Sequence, residues 1–92
     1  MLSNGEESNK ELVLELKNNI LSALNLDYLT PEQIDETSPL LGETLGLDHI
    51  DLIEIIVMLK RKYKVNITNL EYAKRELNSI SDIAKFISKH QQ

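Results

Sequence analysis

The run from His49 to Tyr63 constrains this chain more than any other stretch. Apolar side chains fall at Ile50, Leu52, Ile53, Ile55, Ile56, Val57, Met58 and Leu59, which covers most sides of a helix and breaks the alternation that a half-buried strand requires. A helix of this kind either sits at the centre of a bundle or leaves part of its surface for a partner. Asp48 precedes the run, and its carboxylate is placed to accept the N–H of Ile50 or Asp51 as a cap. The predicted helix, His49 to Tyr63, is about 22 Å long at about 1.5 Å per residue.

Three further helices follow from the same period. Val13, Leu16, Ile20, Ala23 and Leu24 recur at helical spacing, and Ser8-x-x-Glu11 fits a capping box, so helix 1 is expected from about Asn9 to Leu24. Met1 to Glu7 is polar and without period, and is expected to fray. Thr68 or Asn69 is the candidate cap of a short helix through Leu70, Ala73 and Leu77, and Ser79-x-x-Asp82 opens a last helix with the stripe Ile80, Ile83, Ala84 and Ile87. Between helices 1 and 2, residues 25–47 hold both prolines, Pro31 and Pro39. Thr30 is placed to cap a turn with Pro31 at its first position. Leu26, Leu29, Ile34, Leu40, Leu41 and Leu45 are spaced to pin this connection across a core, which argues against disorder. No internal repeat and no strand pattern is present. The fold class is all-α, a four-helix bundle with a long loop between helices 1 and 2 and a short helix 3.

Size and composition narrow the function. Ninety-two residues make one domain, able to bury only roughly 60–65% of its unfolded surface. Apolar residues are 41% of the chain but aromatics only 4%, so the core is built from Leu and Ile. The absence of Cys excludes disulfides, thiolate metal sites and a cysteine nucleophile. The N-terminus shows no signal-peptide pattern, and the longest apolar stretch, Ile55 to Leu59, is far short of the ~20 residues of a membrane span. A cytoplasmic location is expected. Residues 1–59 carry two basic and twelve acidic side chains, a net charge of −10, whereas residues 60–92 carry eight basic and three acidic ones, a net charge of +5. The acidic part repels nucleic acid and favours basic protein surfaces, although a solvated acidic surface serves solubility equally well. Only residues 60–64 are densely basic and no aromatics interleave with them, so nucleic-acid binding is not expected.

The segment Leu45-Gly46-Leu47-Asp48-His49-Ile50-Asp51, opening an apolar helix, resembles the attachment motif of the acyl carrier proteins, a Gly-x-Asp-Ser-x-Asp run. The resemblance extends from about Leu12 to Lys89. It includes Tyr63-Lys64-Val65-Asn66-Ile67 after helix 2 and Ile80-Ser81-Asp82-Ile83 at the entry to the last helix. It implies a bundle of acyl-carrier type, with residues 1–8 a flexible N-terminus and 9–90 an acyl-carrier-like helical domain. It also implies phosphopantetheine as cofactor, esterified to the motif serine and bearing acyl groups as thioesters. In this resemblance His49 takes the serine's position and Asp48 flanks it.

A phosphodiester at a helix N-terminus sits beside free N–H groups and the positive end of the helix dipole. Imidazole offers no hydroxyl for that ester, and Ser38, Ser79 and Ser81 lie outside the motif. Three readings of His49 stand open. It is an introduced change in an ordinary carrier, the native residue of a carrier-like binding protein, or a ligand or proton-transfer residue. No catalytic residue and no metal set emerges, so an enzyme is not expected.

The resemblance further implies acyl-transfer and synthase enzymes of fatty acid or polyketide-type biosynthesis as partners, and a phosphopantetheinyl transferase for a serine-bearing form. Partner-binding candidates are Asp48, Ile50, Asp51, Ile53, Glu54 and Val57. In the other reading Ile50, Ile53 and Val57 belong to the core. Lys60-Arg61-Lys62 stands where the family usually has acids, and these residues also complement the C-terminal end of the helix dipole. An acyl chain would be sheltered among Leu16, Ile20, Ile55, Leu59, Ile67 and Ile83. A monomer is expected. The alternative is a carrier-fold interaction or regulatory subunit that binds a synthase through helix 2 without an arm.

Overall fold

The computed structural model describes residues 4–26, 28–42 and 45–90, with side chains described from residue 10 onward. Helices α1 (Asn4–Ala23), α2 (His49–Tyr63), α3 (Leu70–Glu76) and α4 (Ile80–His90) follow in order, with one 3-10 turn, Pro31–Gln33, in the long connection. Among the described residues the only extended pairing is an isolated parallel bridge between Leu41 and Leu47. The expected all-α bundle with a short third helix is therefore the observed fold. Among the described residues no helix is long and apolar enough to cross a membrane.

The start of α1 departs from expectation. It begins at Asn4 rather than Asn9, so Ser8 lies inside the helix and does not cap it. Apolar periodicity locates the part of a helix that is packed, whereas Glu6 and Glu7 have enough intrinsic helix propensity to carry it beyond that part. The other end is set by a Schellman motif. Asn25 is left-handed at φ 56°, its N–H donates to Ser22 O at 3.2 Å, and Leu26 N–H donates to Leu21 O at 2.9 Å.

The remaining boundaries follow local chemistry. Gln33 Oε1 accepts the Thr30 N–H at 2.9 Å, with Pro31 at the first position of the turn. Of the two candidate caps for α3, Asn69 is the one used, its Oδ1 accepting from Tyr72 N–H at 2.9 Å. Ser79 Oγ accepts from Asp82 N–H at 3.2 Å and is buried beneath the start of α4. α2 stops at Lys64, which adopts φ 60° and donates its N–H to Leu59 O.

The core joins Leu16 and Ile20 of α1, Leu52, Ile55 and Leu59 of α2, and Ile80, Ile83 and Ile87 of α4. The long connection contributes Ile34, Leu40 and Leu47, with Leu26, Leu29, Leu41 and Leu45 packed at the edge. It is also tied down by polar bonds. Leu40 N–H donates to Asn78 O and Ser81 N–H to Glu36 O, both at 2.8 Å, and Lys17 Nζ lies 3.0 Å from Glu36 Oε1. The loop is thereby held against α1 and the α3–α4 junction, which fixes where α2 begins.

Tyr63 closes the far end of α2 against α1. Its hydroxyl donates to Glu15 Oε1 at 2.5 Å and accepts from Asn19 Nδ2 at 2.9 Å. Burial, and then the Glu15 carboxylate, push the phenol well above its ordinary value. Replacing Tyr63 by Phe keeps the ring and removes both bonds. Denaturant unfolding should show a loss of about 1–2 kcal/mol. An unchanged midpoint would mean that water serves Glu15 and Asn19 as well as the phenol does.

Candidate functional site at the N-terminus of α2

α2 is anchored from one side only. Leu52, Ile55, Met58, Leu59 and Tyr63 are buried, whereas Ile50, Ile53 and Val57 are 59%, 45% and 44% exposed. This rotation of the helix keeps Ile50, Ile53 and Val57 out of the core. Exposed apolar side chains in one row are what a docking surface presents. Asp48, His49 and Glu54 are exposed beside that row and Asp51 is half-buried, so all the sequence-derived partner candidates lie together on one accessible surface.

The first turn is locked by a reciprocal capping box. Asp48 Oδ1 accepts from Ile50 N–H at 3.0 Å and from Asp51 N–H at 3.1 Å. Asp51 Oδ2 in turn accepts the Asp48 N–H at 3.0 Å. The expected cap is thus present toward both N–H groups. The return bond from Asp51 was not anticipated, although an acid three residues after the cap is its usual sign. Just upstream, Gly46 has φ 73° and Gly42 φ 108°, a region that side chains rarely adopt. These turns bring the chain from Leu41 back to Leu47, whose carbonyl accepts the Gly42 N–H at 3.2 Å.

These bonds also act on charge. The Asp51 and Ile50 N–H groups and the neighbouring His49 hold the Asp48 carboxyl below its ordinary value, against some desolvation. Hydrogen bonds from Thr37 do the same for Asp35, and the Lys17 ammonium for Glu36. A carboxyl that ionises more readily when folded adds stability above its unfolded pKa, 3.8 for Asp and 4.5 for Glu. That contribution disappears as pH falls through the depressed folded values. Tyr63 acts in the opposite sense, because its contribution is complete below its unfolded value of 10.0 and falls as pH rises beyond it. Thermal melting should therefore be nearly flat between pH 6 and 9 and drop on both sides. A melting temperature that rises on acidification from pH 5 to pH 3 would contradict this.

The opposite end of α2 is basic. Lys60, Arg61 and Lys62 are exposed in its last turn. Glu54, Val57 and Arg61 border a groove of 230 Å³ against Asn19 and Ser22 of α1. Ile56, Val57, Lys60 and Ile67 line a wider one of 660 Å³ toward the α2–α3 loop. Of the residues expected to shelter an acyl chain, Leu16, Ile20, Ile55, Leu59 and Ile83 are packed into the core, and Ile67 reaches this groove.

His90 belongs to a different part of the surface. It ends α4 stacked on Phe86 at a ring separation of 4.0 Å, with Nδ1 2.8 Å from Phe86 O. Among the described residues no cluster of His, Cys, Asp and Glu is arranged to hold a metal ion.

The family model described as "Phosphopantetheine attachment site" matches residues 15–87, from the middle of α1 to the last turn of α4. The chain belongs to the acyl carrier proteins. It is 31% identical over 75 residues to the acyl carrier protein of Campylobacter curvus, which covers 82% of this chain and 90% of that relative. It is 27% identical over 81 residues to the acyl carrier protein of Brachyspira hyodysenteriae, 88% and 97% of the two chains. The acyl carrier protein of Wolinella succinogenes is 27% identical over 73 residues, 79% and 88%. No solved structure matches the chain. The match reaches into every helix, with α2 and α3 wholly inside it.

Proposed function

We propose that this chain meets fatty acid or polyketide-type biosynthetic enzymes in the cytoplasm as an acyl carrier protein does. In this reading His49 stands where the family's serine accepts phosphopantetheine, so the chain remains apo. The observation that carries the proposal is the first turn of α2. It is capped by Asp48, exposes His49, and opens directly onto the outward row Ile50, Ile53 and Val57. Asp48, Asp51 and Glu54 would steer a basic enzyme surface toward that row, mainly by raising the rate of encounter.

The residues present suit docking but not covalent attachment. The side chain in position has ring nitrogens and no hydroxyl. Ser79 is buried under α4 and engaged as a cap, so it does not replace the missing acceptor.

The test is intact mass after incubation with coenzyme A and a broad-specificity phosphopantetheinyl transferase. The chain is expected to keep its own mass, and an arm on it would overturn the reading of position 49. The other function in view is a carrier-fold subunit that binds a synthase through α2 and never bears an arm. The basic last turn of α2 favours that reading, and a His49→Ser variant that also stays unmodified would select it.

A further inference from the structure

The exposed row of α2 is complementary to itself. It reads Ile50, Ile53, Glu54, Val57, Lys60 and Arg61, all exposed, at the three- and four-residue spacing of a helix–helix seam. Its carboxylate, Glu54, lies in the N-terminal half of α2 and its cations, Lys60 and Arg61, in the C-terminal half. Turned end for end, the same row presents cations to its own acids and acids to its own cations.

We propose that two copies of this chain associate through α2 in antiparallel orientation. A two-fold axis crossing α2 near Val57 sets that residue against its counterpart and brings Glu54 beside Arg61 of the second copy, twice by symmetry. Parallel pairing would oppose Lys60, Arg61 and Lys62 to themselves, so charge selects the orientation.

The same distribution argues for a second copy over a uniformly charged partner. A basic surface suits Asp48, Asp51 and Glu54 but is repelled at Lys60, Arg61 and Lys62. An acidic surface has the reverse difficulty. A second α2 supplies both an acid and a cation at once, through Glu54 and Arg61.

One helix face falls short of the ~1,200–2,000 Å² of a standard interface, so the dimer is weak and forms only at high protein concentration. This departs from the monomer expected from size and charge. Because the dimer covers the row proposed for enzymes, self-association and enzyme docking exclude each other. Its test uses the chain alone and stands whether or not the enzyme reading does.

Sedimentation equilibrium at low salt, with a concentration series of amide spectra, reads the association directly. The expected result is a monomer–dimer equilibrium that weakens with added salt, with concentration-dependent shifts confined to residues 50–64. Glu54→Arg and Arg61→Glu alone should each weaken association about tenfold, by turning two attractive pairs into repulsive ones. Combined in one chain they restore the pairing with its polarity inverted, and association should recover. A monomer at every concentration, single variants without effect, or a double variant that fails to recover would each overturn the proposal. All of these side chains are exposed, so the variants leave the core untouched.

Discussion

The His49→Ser variant, incubated with coenzyme A and a broad-specificity phosphopantetheinyl transferase, is expected to go from no modification to complete modification by intact mass. The change is all-or-none because the obstacle is chemical. A serine there would sit in the first turn of α2 with its hydroxyl at the surface, since His49 itself is exposed and the turn is fixed by Asp48 and Asp51. A helix N-terminus needs no rearrangement to accept a hydroxyl of smaller volume than imidazole, so stability should change by less than about 0.5 kcal/mol. If the variant folds and remains at its unmodified mass, recognition has been lost along with the hydroxyl. The armless interaction subunit then becomes the better reading.

Ile55→Ala should produce a loss of stability among the largest that a single truncation in α2 can cause. Ile55 is fully buried at 0% exposure, at the middle of the helix and within the shared core. Removing its outer carbons leaves a cavity that the packed neighbours fill only in part, at a cost of about 2–5 kcal/mol. That is a large share of the ~5–15 kcal/mol that holds a small domain together, and the melting temperature should fall by more than about 10 °C. Ile53→Ala is the control two residues away. Its side chain is 45% exposed, and its truncation should stay within about 0.5 kcal/mol. Equal losses at the two positions would mean that the assigned rotation of α2 is wrong.

The contrast between Ile53 and Ile55 marks the limit of what periodicity could show. Where a helix has a polar side, as α4 does with the stripe Ile80, Ile83, Ala84 and Ile87, the sequence points directly to the buried face. α2 is apolar nearly all round, so the pattern carries no phase, and Ile50, Ile53 and Val57 read equally well as core or as surface. Caps were more legible. Asp48, Asn69 and Ser79 each satisfy N–H groups two or three residues away, so the interaction is contained in the local sequence. Ser8 misled because a capping-box spacing also occurs inside helices, where strong helix formers on either side let the helix run through it.

By itself the sequence determined the four helices, the ends of α2, the pinned connection and the acyl-carrier resemblance, which the family match over residues 15–87 upholds. All of these are written in neighbouring residues, in spacing and turn chemistry. Only the tertiary structure decided which side of α2 faces water. That orientation is set by packing against other elements, α1 foremost, and the α1 residues Leu16 and Ile20 of the shared core are distant in the chain. Packing on one side of α2 leaves Ile50, Ile53 and Val57 at the surface.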